Sequence, residues 1–169
     1  MTKSTRIAAV IFIALAATAA LAQSDAQKSF TQLKSLTGSW EGKTPDGKAL
    51  QVSFRETAGG SALMSEIHGT GPENMVSVIH MDGPNKLLMT HYCGAGNQPR
   101  MQANVSPDGK TITFTFFDGT NIAPGAGHMQ SMVLTMLDGN HHTEEWTFGD
   151  HGNEMKEFFD LHRKMESKM

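Results

Sequence analysis

A single cysteine, Cys93, stands in the chain of 169 residues, which excludes an intramolecular disulfide framework and a cysteine-built zinc site. Proline is sparse at six residues and charged residues make up only 18%, a composition unlike that of a disordered chain. Cations are outnumbered, 14 Lys and Arg against 17 Asp and Glu, so the formal charge of −3 leaves no electrostatic footprint for nucleic acid or anionic lipid. Long apolar runs are also missing: the best, Ile7 to Ala22, is largely alanine and falls short of the roughly 20 residues a membrane-spanning helix needs. The length accommodates one domain rather than two.

That apolar run has the three parts of an export signal. Lys3 and Arg6 precede it, Ile7 to Ala19 form its centre, and Ala20-Leu21-Ala22 supplies an A-x-A cleavage site before Gln23. The expectation is a signal peptide over 1–22, cut after Ala22, and a periplasmic or secreted product. No cysteine follows the cut to take a lipid, so no stable membrane anchor is expected after cleavage.

Beyond the leader, one helical signal spans 23–38. Ser24 or Asp25 serves as N-cap, Phe30, Leu33 and Leu36 recur at spacings of three, and Gly38 stops the helix. Everything after it reads as β. Alternating runs are separated by turn chemistry at Pro45-Asp46-Gly47-Lys48, Gly59-Gly60, Asp82-Gly83-Pro84-Asn85, Pro107-Asp108-Gly109-Lys110, Asp138-Gly139-Asn140 and Asp150-His151-Gly152-Asn153. About ten strands are predicted, near 39–44, 49–57, 62–68, 74–81, 86–93, 98–105, 111–117, 129–137, 141–148 and 154–163. Ten strands joined by tight turns curl until their edges meet, which predicts an all-β fold, a roughly ten-stranded antiparallel barrel over 39–165 with a short N-terminal helix.

Side chains alternate faces with period two, so parity separates inside from outside. Leu50, Val52 and Phe54 oppose Gln51, Ser53 and Arg55; Ile112, Phe114 and Phe116 oppose Thr111, Thr113 and Thr115. Met155, Phe159 and Leu161 oppose Glu154, Lys156, Asp160 and His162. Met132, Leu134 and Met136 alternate with Val133, Thr135 and Leu137, leaving both faces of that strand partly apolar.

The junction Phe30-x-x-Leu33-x-x-Leu36-x-Gly38-Ser39-Trp40-Glu41-Gly42 resembles the opening of lipocalin-like, or calycin, barrels, which place G-x-W at the start of their first strand. The resemblance implies a basic residue of the last strand stacked on that tryptophan, and Phe159-x-Leu161-x-Arg163 supplies Arg163 with inward parity, so Trp40 and Arg163 are the expected structural pair. Thr90-His91-Tyr92-Cys93-Gly94-Ala95-Gly96-Asn97-Gln98-Pro99-Arg100-Met101 and Phe117-Asp118-Gly119-Thr120-Asn121 are similar to exported bacterial proteins with a lipocalin-like domain, related to the DUF1579 type. Gly38-Ser39-Trp40-Glu41-Gly42 also resembles the opening of nitrobindin-type haem barrels, which hold iron with a C-terminal histidine. His162 is the histidine at that end, and its parity places it on the wet face with Lys156 and Asp160, so that likeness stops short of a haem ligand.

The lumen is expected to hold a small hydrophobic or amphipathic molecule against Trp40, Phe54, Met101, Phe116, Trp146 and Phe159, with His91, Asn97, Asn121 and Glu144 as polar contacts. Asn121 lies in a turn-rich stretch, Asp118 to Gly127, expected as a mouth loop. Glu144 shares a face with His142 and Trp146 and, if buried, needs a partner such as Arg55, Arg100 or His91. No catalytic residue, metal ligand or cofactor is specified. The alternatives are a metal-binding or enzymatic barrel using His91, Cys93 and Glu144, in which Met89, His91 and Cys93 share a face suited to a soft ion, and a filled barrel that contacts a partner protein through its loops.

Overall fold

The computed structural model describes residues 23–44, 46–68 and 74–165. The leader expected at 1–22 lies outside the described residues, as does Pro45 of the first predicted turn. Helix α1 (Asp25–Lys34) begins at Ser24, whose hydroxyl accepts from the Gln27 backbone N–H while the Gln27 side chain accepts from Ser24 N–H. This reciprocal pair satisfies two donors that the first turn leaves without helical partners. Phe30 and Leu33 are buried on one side of the helix, and Leu36 just beyond it.

Ten strands follow: β1 (Gly38–Lys43), β2 (Ala49–Thr57), β3 (Ala62–His68), β4 (Met75–Met81), β5 (Leu87–Tyr92), β6 (Gln98–Val105), β7 (Thr111–Thr120), β8 (His128–Asp138), β9 (His141–Asp150) and β10 (Asn153–Arg163). Each pairs antiparallel with its successor, and β10 returns to β1, so the sheet closes on itself. The expected parity holds: Leu50, Val52 and Phe54 are buried on β2, Ile112 and Phe114 on β7, and Met132, Leu134 and Met136 on β8. The second face of β8, apolar by sequence, points outward; Leu137 is half exposed.

The largest boundary difference is β7, which runs to Thr120 instead of stopping near 117. Asp118 and Gly119 carry turn chemistry, yet they lie opposite Arg100 and Pro99 in the ladder with β6. Arg100 forms a two-point ion pair with Asp118, its Nε 2.6 Å from Oδ1. A bulge between Arg100 and Met101 gives the extra twist that carries the pairing on.

The barrel has unlike ends. At one end the chain links β2–β3, β4–β5, β6–β7 and β8–β9, and α1 lies across it, packed against β2, β4, β5 and β6. Leu33, Leu36 and Trp40 fill the space beneath the helix. The opposite end carries the remaining links and has no helix over it among the described residues. No helix among them is long and apolar enough to cross a membrane.

Closure depends on Gly42. It pairs with Leu161 across the β1–β10 seam, and a Cβ there would collide with the backbone carbonyl oxygen of Asp160. Because backbone cannot swing aside as a flexible side chain can, Gly42→Ala should destabilise the barrel by about 1–3 kcal/mol, within the range for overpacking. Urea unfolding of the two proteins tests this, and equal midpoints would show that the seam has slack.

Candidate functional site

Trp40 closes one end of the interior. It is fully buried, its Nε1–H donates to the Leu36 carbonyl at 2.7 Å, and the guanidinium of Arg163 lies 4.3 Å from its ring centroid. Arg163 in turn donates to the carbonyls of Ser35 (2.8 Å), Thr37 (2.9 Å) and Gly139 (3.2 Å). One side chain therefore ties the helix end, the last strand and the β8–β9 turn around the tryptophan. Gly38 makes room: it has φ of +129°, and a Cβ there would sit 3.0 Å from the Arg163 guanidinium.

Above Trp40 the middle of the barrel is filled, and part of the filling is polar. His142 meets Trp40 edge-on at 4.3 Å between ring centroids, and Phe54 packs against the same imidazole. Glu144, 1% exposed, accepts from the Trp146 indole N–H at 2.9 Å through one oxygen and lies 3.3 Å from His142 Nε2 through the other. Period-two alternation makes this possible, because His142, Glu144 and Trp146 follow one another on the inner face of β9. A buried carboxyl is costly without partners, and here both oxygens have one. Trp146 also packs against His91, ring centroids 4.9 Å apart. His91 is fully buried on β5, where its Nδ1 lies 2.9 Å from Ser77 Oγ; burial lowers its pKa from 6.5 to about 4, so it is neutral. His91 Nε2, His142 Nδ1 and Asn97 Oδ1 have no hydrogen-bond partner among the described residues.

Beyond Trp146 the barrel is hollow. A cavity of about 320 Å³ lies at the end opposite the helix, with Trp146, Phe148 and Phe159 on one side and Ile67, Met75 and Met129 among its other walls. Cys93, Gly94 and Ala95 from the β5–β6 link form part of the rim, and Met155 and Glu157 from β10 complete it. β1 ends opposite Asp160, so the first half of β10 stands above the β1 seam, and this stretch supplies Met155 and Glu157.

Of the residues expected to line a lumen, Trp146 and Phe159 line this cavity. Trp40, Phe54 and Met101 do not; they are packed core at lower levels of the barrel. His91 and Glu144 face inward as parity requires, but they are buried polar filling rather than cavity wall. Asn97 is buried and donates to the Gly127 carbonyl at 2.9 Å, joining the β5–β6 and β7–β8 links. Phe116 packs on His128 and borders an outer groove beside the β7–β8 link. Asn121 is not a mouth contact: it is exposed in a left-handed conformation, φ +55°, and its amide donates to Gln98 Oε1 at 2.7 Å. Asn adopts that conformation readily, so its role is to end β7.

The partners expected for Glu144 also differ. Arg100 is held by Asp118, and Arg55 points outward to Met64. His91 bonds to Ser77 and no carboxyl, so His91, Cys93 and Glu144 do not assemble one reacting centre. Sequence reading missed Ile67, Met75, Ala95, Met129, Phe148, Met155 and Glu157. Each of those on a strand has the inward parity of its neighbours, but parity carries no information about height in the barrel.

No family model and no curated protein matches this chain. Among solved structures it is similar to Rv2717c from M. tuberculosis, with a TM-score of 0.56 over 81% of this chain and 98% of that one, at 16% identity. At that identity the likeness speaks for the fold alone.

Proposed function

We propose that the protein is an exported carrier or sensor of a small apolar or amphipathic molecule, taken up in the cavity above Trp146. The carrying observation is the asymmetry of the barrel: one end is sealed by α1, Trp40 and Arg163, while the other holds an apolar cavity of about 320 Å³. That volume is at the lower end of the range of about 300–1,000 Å³ for small-molecule sites, so it favours a compact molecule over a long acyl chain. Affinity would come from apolar surface removed from water, at roughly 25 cal/mol per Å². Glu157 is the charged side chain on its wall and would face the ligand's polar end. Export is supported by the leader-like residues 1–22, and the likeness to lipocalin-like barrels is consistent with a carrier.

The test is a titration with an uncharged fluorescent apolar dye such as N-phenyl-1-naphthylamine, together with native mass spectrometry of the purified protein. Saturable one-to-one binding is expected, and Ala95→Trp, a rim substitution at an exposed position, should weaken it at least tenfold without moving the unfolding midpoint. Dye binding that is absent, or that survives Ala95→Trp unchanged, sinks this reading.

A further inference from the structure

The outer wall of the barrel carries a second cluster of chemistry. His141 and His162 lie directly opposite each other in the β9–β10 ladder. Opposed residues project on the same face with Cβ atoms about 4.5–5.5 Å apart, and since His142 and Leu161 are buried, the two histidines face outward. Asp160 precedes His162 by two residues and shares that face. The three side chains converge. The imidazole rings stack at 4.1 Å with 21° between planes; His141 Nε2 is hydrogen-bonded to Asp160 Oδ1 at 2.6 Å, and His162 Nε2 lies 3.5 Å from the same oxygen. The candidate donor atoms lie within 4.8 Å of one another.

We propose that His141, Asp160 and His162 form a site for a divalent transition metal ion of the imidazole-preferring kind, Zn²⁺, Ni²⁺ or Cu²⁺. Two imidazoles and a carboxylate are the donors such ions take, whereas Ca²⁺ and Mg²⁺ require shells made mostly of oxygen. Spacing fits as well. Ligand atoms at 2.0–2.2 Å from a tetrahedral ion stand about 3.3 Å from each other, close to the His162–Asp160 separation. The shorter His141–Asp160 contact must open by about 0.7 Å to reach that spacing, a small rotation for side chains that solvent reaches.

The scaffold is rigid where a site needs it to be. Both strands are paired on their far sides, β10 with β1 and β9 with β8, so the backbone spacing of the two histidines is held from both directions. Along the same row Glu41 lies opposite His162 and Asp138 opposite His141, which places carboxylates on both flanks. Two cations stand at this edge: Glu41 holds Lys164 at 2.6 Å, and the exposed Lys43 lies opposite Asp160 in the β1–β10 ladder, where solvent screens it. With His162 64% exposed, an ion reaches the site from solvent and keeps its remaining positions for water.

Isothermal titration of tag-free protein with NiCl₂ and ZnCl₂ tests the proposal. One ion per chain is expected. His162→Asn and Asp160→Asn should each weaken binding at least tenfold, since outer-sphere partners alone are worth 10–100-fold. His151→Asn, an exposed histidine of the β9–β10 turn, should leave it unchanged. Unfolding midpoints in the presence of chelator should be equal for all four proteins, because these side chains lie on the outer wall. The proposal is overturned by an absence of saturable binding, by one ion per two chains, or by binding that persists undiminished in both His162→Asn and Asp160→Asn.

Discussion

Replacing Trp40 with alanine should lower the free energy of unfolding by about 3–5 kcal/mol, the largest effect expected of any single substitution here. Three losses combine. The fully buried indole leaves a cavity beneath α1, the Leu36 carbonyl loses its donor, and Arg163 loses the ring it covers. Arg163 keeps its three backbone acceptors, so the seam is weakened rather than severed. Trp40→Phe separates the contributions: it retains most of the volume but leaves the Leu36 carbonyl unpaired, for a cost of about 1–3 kcal/mol. Urea denaturation gives both numbers. A Trp40→Ala loss below about 1.5 kcal/mol would mean that the core collapses around the gap, and that the tryptophan is not the plug of the closed end.

Acid should destabilise the protein through His91. Its imidazole titrates near 6.5 in an unfolded chain and near 4 when buried, so between those values the unfolded state binds the extra proton. Stability from this group is therefore complete above pH 6.5 and is lost as pH falls toward 4, by about 3 kcal/mol at the lower limit. His91→Gln removes the titrating group while keeping a polar partner for Ser77. Urea midpoints for the two proteins at pH 7 and pH 4 isolate the effect, because the carboxylates common to both cancel. If both lose equal stability on acidification, the His91 imidazole is protonated in the folded barrel, and its burial is not as described.

Much of the architecture was legible because two periodicities are strong in this chain. Leu50, Val52 and Phe54 alternate without exception, and turn residues such as Asp138-Gly139-Asn140 fall where hairpins need them, so strand count and inner faces could be read directly. Trp40 and Arg163 could be paired because the likeness to lipocalin-like openings implies a basic residue of the last strand over that tryptophan, and parity singles out Arg163. Height along the barrel axis could not be read. Trp40 and Trp146 have equal claim to face inward, yet one plugs the closed end and the other borders the cavity, since height depends on how each strand is offset against its neighbours. Ile67, Met129 and Met155 were missed for that reason. Glu144 differs in another way: its partners sit two residues either side of it on the same strand, whereas charge and parity alone suggest Arg55, Arg100 or His91. Asp118 and Asn121 were assigned to a mouth loop because turn-forming residues also serve at bulged or terminal strand positions, and Arg100 decides between the two only once β6 is alongside.

The order of strands around the barrel bears on how the chain reaches this state. Nine of the ten ladders join strands that are consecutive in the chain, and these form from short hairpins with little loop-closure entropy. The tenth joins β1 to β10 across almost the whole domain, and it must wait until the intervening strands have curled far enough to bring the two edges together. Until then both carry unpaired backbone groups that another chain can capture. The contacts of Trp40 with Arg163 and of Gly42 with Leu161 span that same junction, so the residues that hold the finished barrel shut are also those that oppose its reopening to neighbouring chains.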